Sequence, residues 1–134
     1  MSNKIYTLGY TSTTPEELKE IAEKLGAIIC DIRINPRSRA PRWNLVQFRE
    51  AVGWDNYQYL GFCLGNKNYK GGPIELADPQ QGVKLVRELL EKKPVILVCA
   101  CYYHASCHRL DAANLIAVAT GSEIEHLYGS RKAS

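Results

Sequence analysis

Apolar and polar positions fall in alternating blocks along the chain, and the blocks predict strands and helices in turn. Ile5-Tyr6-Thr7-Leu8 is a short apolar run that stops at Gly9. Thr14-Pro15-Glu16-Glu17 follows, with a capping hydroxyl, a proline at the first helical position and a glutamate at the third. Beyond it Leu18, Ile21, Ala22 and Leu25 recur at i, i+3, i+4 and i+7, one face of a helix, and Gly26 is a natural stop. Ala27-Ile28-Ile29-Cys30-Asp31-Ile32 is nearly continuous rather than alternating, the pattern of a strand covered on both faces in a parallel sheet. Residues 33–44 contain Pro36 and Pro41 and no apolar period, so they predict an ordered loop leading into a short helix over 45–52. Tyr57-Gln58-Tyr59-Leu60 predicts a third strand, ahead of a glycine-rich stretch with Gly61, Gly65, Gly71 and Gly72. Asp78-Pro79-Gln80-Gln81 repeats the capping signature, and Val83, Val86 and Leu90 mark the buried side of a helix ending near Lys92 and Lys93. Residues 95–100 form the plainest buried strand. Residues 109–119 are apolar on most sides and predict a well-covered helix closed by Gly121, with a final strand over 123–127.

This order predicts a single α/β domain over residues 1–134, a three-layer α/β/α arrangement around a mostly parallel sheet of about five strands, because parallel strands need helical crossovers. In such sheets ligands bind beyond the carboxyl ends of the strands, where residues 9–14, 33–44 and 101–108 fall. The balance of 46% hydrophobic and 23% charged residues excludes a disordered chain, and no apolar run approaches the ~20 residues of a membrane helix. The chain enters its first strand without a charged-then-apolar leader, which predicts a cytoplasmic location. Five cysteines, an odd number in a domain with room for a real core, predict reduced thiols rather than a disulfide framework.

Charge adds a location for chemistry. Arg33, Arg37, Arg39, Arg42 and Arg49 crowd one 17-residue stretch in a chain whose net charge is only +3. Arg33, Asn35, Arg37, Ser38 and Arg39 leave a buried strand on a proline-stiffened loop, and guanidinium forks match phosphate or carboxylate oxygens two at a time. Tyr10, Thr11 and Ser12 form a hydroxyl-rich turn beside them, although Thr14 as a cap accounts for much of that turn. These eight residues are the expected substrate-binding set, with Tyr10, Tyr102 and Tyr103 offering rings for stacking.

The second chemical segment is Cys99-Ala100-Cys101-Tyr102-Tyr103-His104-Ala105-Ser106-Cys107-His108-Arg109. A helix N-terminus lowers a nearby thiol's pKa, so Cys101 or Cys107 is an expected nucleophile, with His108 for proton transfer and Arg109 for developing charge. Cys99, inside an apolar strand, reads as a small core residue. The spacing is not the Cys-x5-Arg of a phosphatase-type loop, and it matches neither a Cys-x2-Cys knuckle nor a zinc finger, so no metal and no cofactor are assigned.

Thr7-Leu8-Gly9-Tyr10-Thr11, Asp31-Ile32-Arg33 with Pro36-Arg37-Ser38-Arg39, Tyr59-Leu60 to Leu64-Gly65, and Cys99-Ala100 with Cys107-His108-Arg109 together resemble the domain of unknown function 488 family, over roughly residues 5–128. The resemblance implies a compact α/β domain and points to the same loops; the family's name carries no activity. The chain departs from that pattern with Tyr10 in place of histidine, Cys101 in place of glutamate and His104 in place of proline. Three functions compete: an enzyme acting on a phosphorylated or nucleotide-like anion, a non-catalytic nucleic-acid-binding module, and a regulatory domain using Cys101 and Cys107 as a redox pair or, with His104 and His108, as a zinc site.

Overall fold

Five parallel strands form one sheet in the computed structural model, which describes residues 3–131, so the expectation about the chain's start falls on residues outside those described. The strands are β1 (Ile5–Gly9), β2 (Ile28–Asp31), β3 (Tyr57–Tyr59), β4 (Val95–Cys99) and β5 (Ile124–Leu127), in the spatial order β3-β2-β4-β1-β5. Helices α1 (Pro15–Leu25), α2 (Leu45–Val52), α3 (Gly61–Leu64), α4 (Pro79–Leu90) and α5 (His108–Thr120) fill the connections. The α/β class read from the sequence is the observed one, and all four strand pairings are parallel, the edge strands included.

Strand parity divides the core into two layers. Leu18 and Ala22 of α1 and Phe48 and Val52 of α2 pack with Leu8, Ile29, Ile96 and Val98 on one face. Leu64, Val86, Leu90, Ala112, Ala113 and Ile116 of α3, α4 and α5 pack with Ile5, Cys30, Val95 and Leu97 on the other. Strand β4, buried at all five positions, sits at the centre, as its unbroken apolar run requires. Helix ends follow the capping signals: the Thr14 hydroxyl accepts from the Glu17 N–H at 3.1 Å and the Asp78 carboxylate from the Gln81 N–H at 3.3 Å. Each such cap contributes about 1 kcal/mol.

Two expectations need correction. Helix α5 is not covered all round: Arg109, Ala112, Ala113 and Ile116 face inward, while Val118 is 88% exposed and Leu115 is exposed beside it. Its inward face is largely alanine, which allows close approach to the sheet but gives little periodic contrast in the sequence. The third strand ends at Tyr59, and the short helix α3, unforeseen, begins two residues on at Gly61, where a Cβ would lie 1.8 Å from the Arg33 carbonyl oxygen and only glycine fits.

The connections position the site. Chains leaving β1 and β2 turn to α1 and α2 on one face, whereas the chain leaving β4, which lies between them, turns to α5 on the other. Adjacent connections that diverge leave a crevice at the carboxyl edge.

Candidate functional site

A cavity of about 490 Å³ opens at that crevice, within the usual size of a small-ligand site. Residues 33–37 after β2, residues 66–74 between α3 and α4, and residues 100–108 between β4 and α5 line it. It brings Arg37 and Lys70 into the same enclosure as Cys101, Cys107 and His108.

Three sulfurs cluster here, and two of their residues, Cys101 and Cys107, line the cavity. Cys99 ends β4, Cys107 is the N-cap residue of α5, and Cys101 lies on the loop between; their Sγ atoms are all within 4.8 Å of one another. Cys99 and Cys107 are buried and Cys101 is exposed. Hydrogen bonding from Cys107 and Cys99, together with the charge of Arg109, outweighs desolvation and holds the Cys101 thiol well below its ordinary pKa, whereas burial pushes Cys99 well above it.

His108 is oriented by the backbone. Its Nε2 lies 2.8 Å from the Ile32 carbonyl oxygen, which can only accept, so the proton sits on Nε2 and Nδ1 faces the Cys107 Sγ at 3.8 Å. Burial works against charge on this imidazole, but Cys107 and the Ile32 carbonyl prevail and its pKa lies above the ordinary histidine value.

Arg109 does not reach the cavity as a free anion binder. It is fully buried, and its guanidinium donates to the Cys101 carbonyl at 2.6 Å, the Tyr102 carbonyl at 2.9 Å, the Thr7 hydroxyl at 3.3 Å and the Cys99 Sγ at 3.3 Å. No carboxylate pairs with it among the described residues. It therefore fixes the thiol loop and supplies a positive charge behind the sulfurs. Gly9 completes the fit: a Cβ there would lie 1.7 Å from the Cys101 carbonyl oxygen, so only glycine lets the loop pass over the end of β1.

The arginine loop divides three ways. Arg33 is buried against Asp31, donating from Nε at 2.8 Å and from Nη2 at 2.7 Å, with Nη1 on the Trp43 carbonyl at 2.6 Å. Tyr57 donates to the same carboxylate, so this side chain is held in the core by its own partners, although Arg33 is also among the residues lining the thiol cavity. Asn35 and Arg37 line the thiol cavity. Ser38 and Arg39 line a second cleft of about 620 Å³ with Tyr10, Thr11, Arg42, Tyr102, Tyr103 and Arg131. Tyr10 is not available for stacking on a ligand, since its ring is stacked at 4.6 Å on the buried Trp43. Ser12 is buried, donating to the Gly9 carbonyl and accepting from the Gly129 N–H.

Residues that the chain pattern did not single out are Lys70, Asn66 and Asn68 on the glycine-rich connection, and Cys99 as a member of the sulfur cluster. The signal for the first three was available: residues 65–78 form a long connection with little regular structure, as conspicuous as the arginine loop. No family model matches the chain, and none of the curated proteins matches it.

Proposed function

We propose that this protein is a thiol-dependent enzyme that carries out nucleophilic substitution on a small phosphorylated or nucleotide-like anion. The observation that supports this most is the exposed Cys101 sulfur, backed by the buried Arg109 guanidinium and sharing a cavity with the exposed cations Arg37 and Lys70. The substrate's anionic group binds Arg37 and Lys70, and the Cys101 thiolate attacks the adjacent electrophilic centre. A sulfur–substrate bond forms, and the leaving group departs with its electron pair and takes the second proton of the His108 imidazolium, carried at Nδ1 because Nε2 is held by the Ile32 carbonyl. Water, giving its proton back to that nitrogen, then displaces the sulfur and frees the product. Arg109 is a positioning residue in this scheme, and the resemblance to the domain of unknown function 488 family belongs to the same proposal.

Alkylation of the reduced, chelator-treated protein, read by mass spectrometry, tests it. Cys101 should label fastest, phosphate or a nucleotide should slow that labelling, and the protection should vanish in Arg37→Ala/Lys70→Ala. Equal, anion-indifferent labelling of all reactive thiols would overturn the reading.

A second reading is favoured by the other cleft. Arg39, Arg42 and Arg131, none paired with a carboxylate among the described residues, line that cleft together with the exposed Tyr103, a combination suited to a single-stranded nucleic acid. Binding of an oligonucleotide that weakens steeply with salt and is lost in Arg39→Ala/Arg42→Ala would establish it. No binding at low salt would reject it.

A further inference from the structure

We propose that Cys99, Cys101 and Cys107 form a tricysteine site for a divalent thiophilic metal ion of the zinc class. Chain spacing does not suggest it; the fold assembles it from a strand end, a loop and a helix cap. The three sulfurs already lie within 4.8 Å of one another. Zinc–sulfur bonds of about 2.3 Å in a tetrahedron place sulfurs about 3.8 Å apart, so each pair need close by about 1 Å at most. Cys101 and Cys107 also line the cavity, which leaves the fourth coordination position facing it. Three protein ligands with an open position are the pattern of reactive rather than purely structural zinc.

Charge supplies an independent observation. Arg109 is a fully buried cation with no carboxylate partner among the described residues, and its Nη1 lies 3.3 Å from the Cys99 Sγ. A buried guanidinium favours one net negative charge beside it. A divalent ion held by three thiolates leaves one net negative charge at that place, which balances the guanidinium. The thiol protons leave to solvent as the metal–sulfur bonds form. A monovalent ion on the same three thiolates would leave two negative charges against one positive, and hard ions such as magnesium prefer oxygen ligands.

His108 stands beside the site without being counted as a ligand, and it donates to the Cys107 thiolate only when Nδ1 is protonated as well as Nε2. The Ile32 carbonyl holds its Nε2 proton and leaves Nδ1 beside Cys107, the arrangement by which outer groups orient metal-binding side chains. Occupation of the site withdraws the Cys101 sulfur from attack. That consequence, unlike the binding itself, rests on the thiol-enzyme reading.

Cobalt(II) titration of the reduced protein, purified without metal-affinity resin, is the test. One equivalent should produce the near-ultraviolet thiolate-to-cobalt band and the visible bands of a tetrahedral ion, zinc should displace it, and Cys101→Ser, an exposed position, should abolish the near-ultraviolet band's saturation at one equivalent. Zinc should also suppress Cys101 alkylation, with recovery on adding a chelator. Absence of a thiolate band in the reduced protein would overturn the proposal, and so would a band that Cys101→Ser leaves unchanged. The enzyme reading is tested on metal-free protein, so it survives that failure, just as cobalt binding survives an anion-indifferent thiol.

Discussion

Two arginines are enclosed by this fold, and their partners set their tasks. Arg33 has a buried carboxylate in Asp31, and Arg109 has carbonyls, a hydroxyl and a sulfur. Removing one partner of a buried pair leaves the other charged and unpaired, so Arg33→Met should destabilise the fold by roughly 3–5 kcal/mol in chemical denaturation. Arg37→Ala, at an exposed loop position, should change stability by no more than about 0.5 kcal/mol while weakening anion protection of Cys101. Arg33→Met with unchanged stability would show that the pair is not the core feature described. Cys101 carries the pH prediction. Its pKa is depressed by Cys107, Cys99 and Arg109, so the thiolate is already present at neutral pH and is lost only as pH falls through that lowered value. An ordinary thiol labels about tenfold more slowly for each pH unit below about 8.5. In metal-free protein the Cys101 alkylation rate should instead stay nearly flat from pH 8 down to about pH 5, measured by stopped labelling and mass spectrometry.

At the scale of elements, the site depends on how closely three connections approach one another. The thiol loop crosses the end of β1 at Gly9, and α3 starts against the arginine loop at Gly61. Gly9→Ala forces a methyl into the Cys101 carbonyl, which backbone movement alone can relieve. We expect a loss of about 1–3 kcal/mol in stability and a fall of the Cys101 labelling rate toward that of an ordinary thiol. A Gly9→Ala variant with unaltered labelling would show that β1 does not hold the loop. The strand end, the loop and the cap of α5 thus act as one unit, with Arg109 tying the Thr7 hydroxyl on β1 to the Cys101 and Tyr102 carbonyls.

Across the whole molecule, two apolar layers on a five-strand sheet carry the stability, and the carboxyl edge carries the chemistry. Phe48, fully buried between Trp43 and Tyr57, should cost about 3–5 kcal/mol when replaced by alanine. Val118→Lys on the outer side of α5 should move the denaturation midpoint little, within about 0.5 kcal/mol; a large loss there would mean that this face is covered in solution. The periodicity of residues 15–25 and 79–90, their caps, and the unbroken apolar run of β4 made α1, α4 and the central strand legible in the chain itself. Local rules decide such elements, because capping and one-sided burial involve neighbours within a few residues. A mostly parallel sheet was legible one step further on, from the alternation of strands and helices; that every strand pairing is parallel is the structure's own finding. The sequence by itself also marked the two loops that meet at the site, by arginine and cysteine density. Tertiary structure alone decided which of those residues are free to act. Arg33 reads as an anion binder and Arg109 as a stabiliser of developing charge, but both are enclosed by their own partners; Cys99 reads as a core residue but joins two other sulfurs; and Lys70, which no pattern singles out, lines the cavity. Charge and thiol chemistry depend on partners distant in the chain, Thr7 to Arg109 among them, and only folding brings those partners within hydrogen-bond reach.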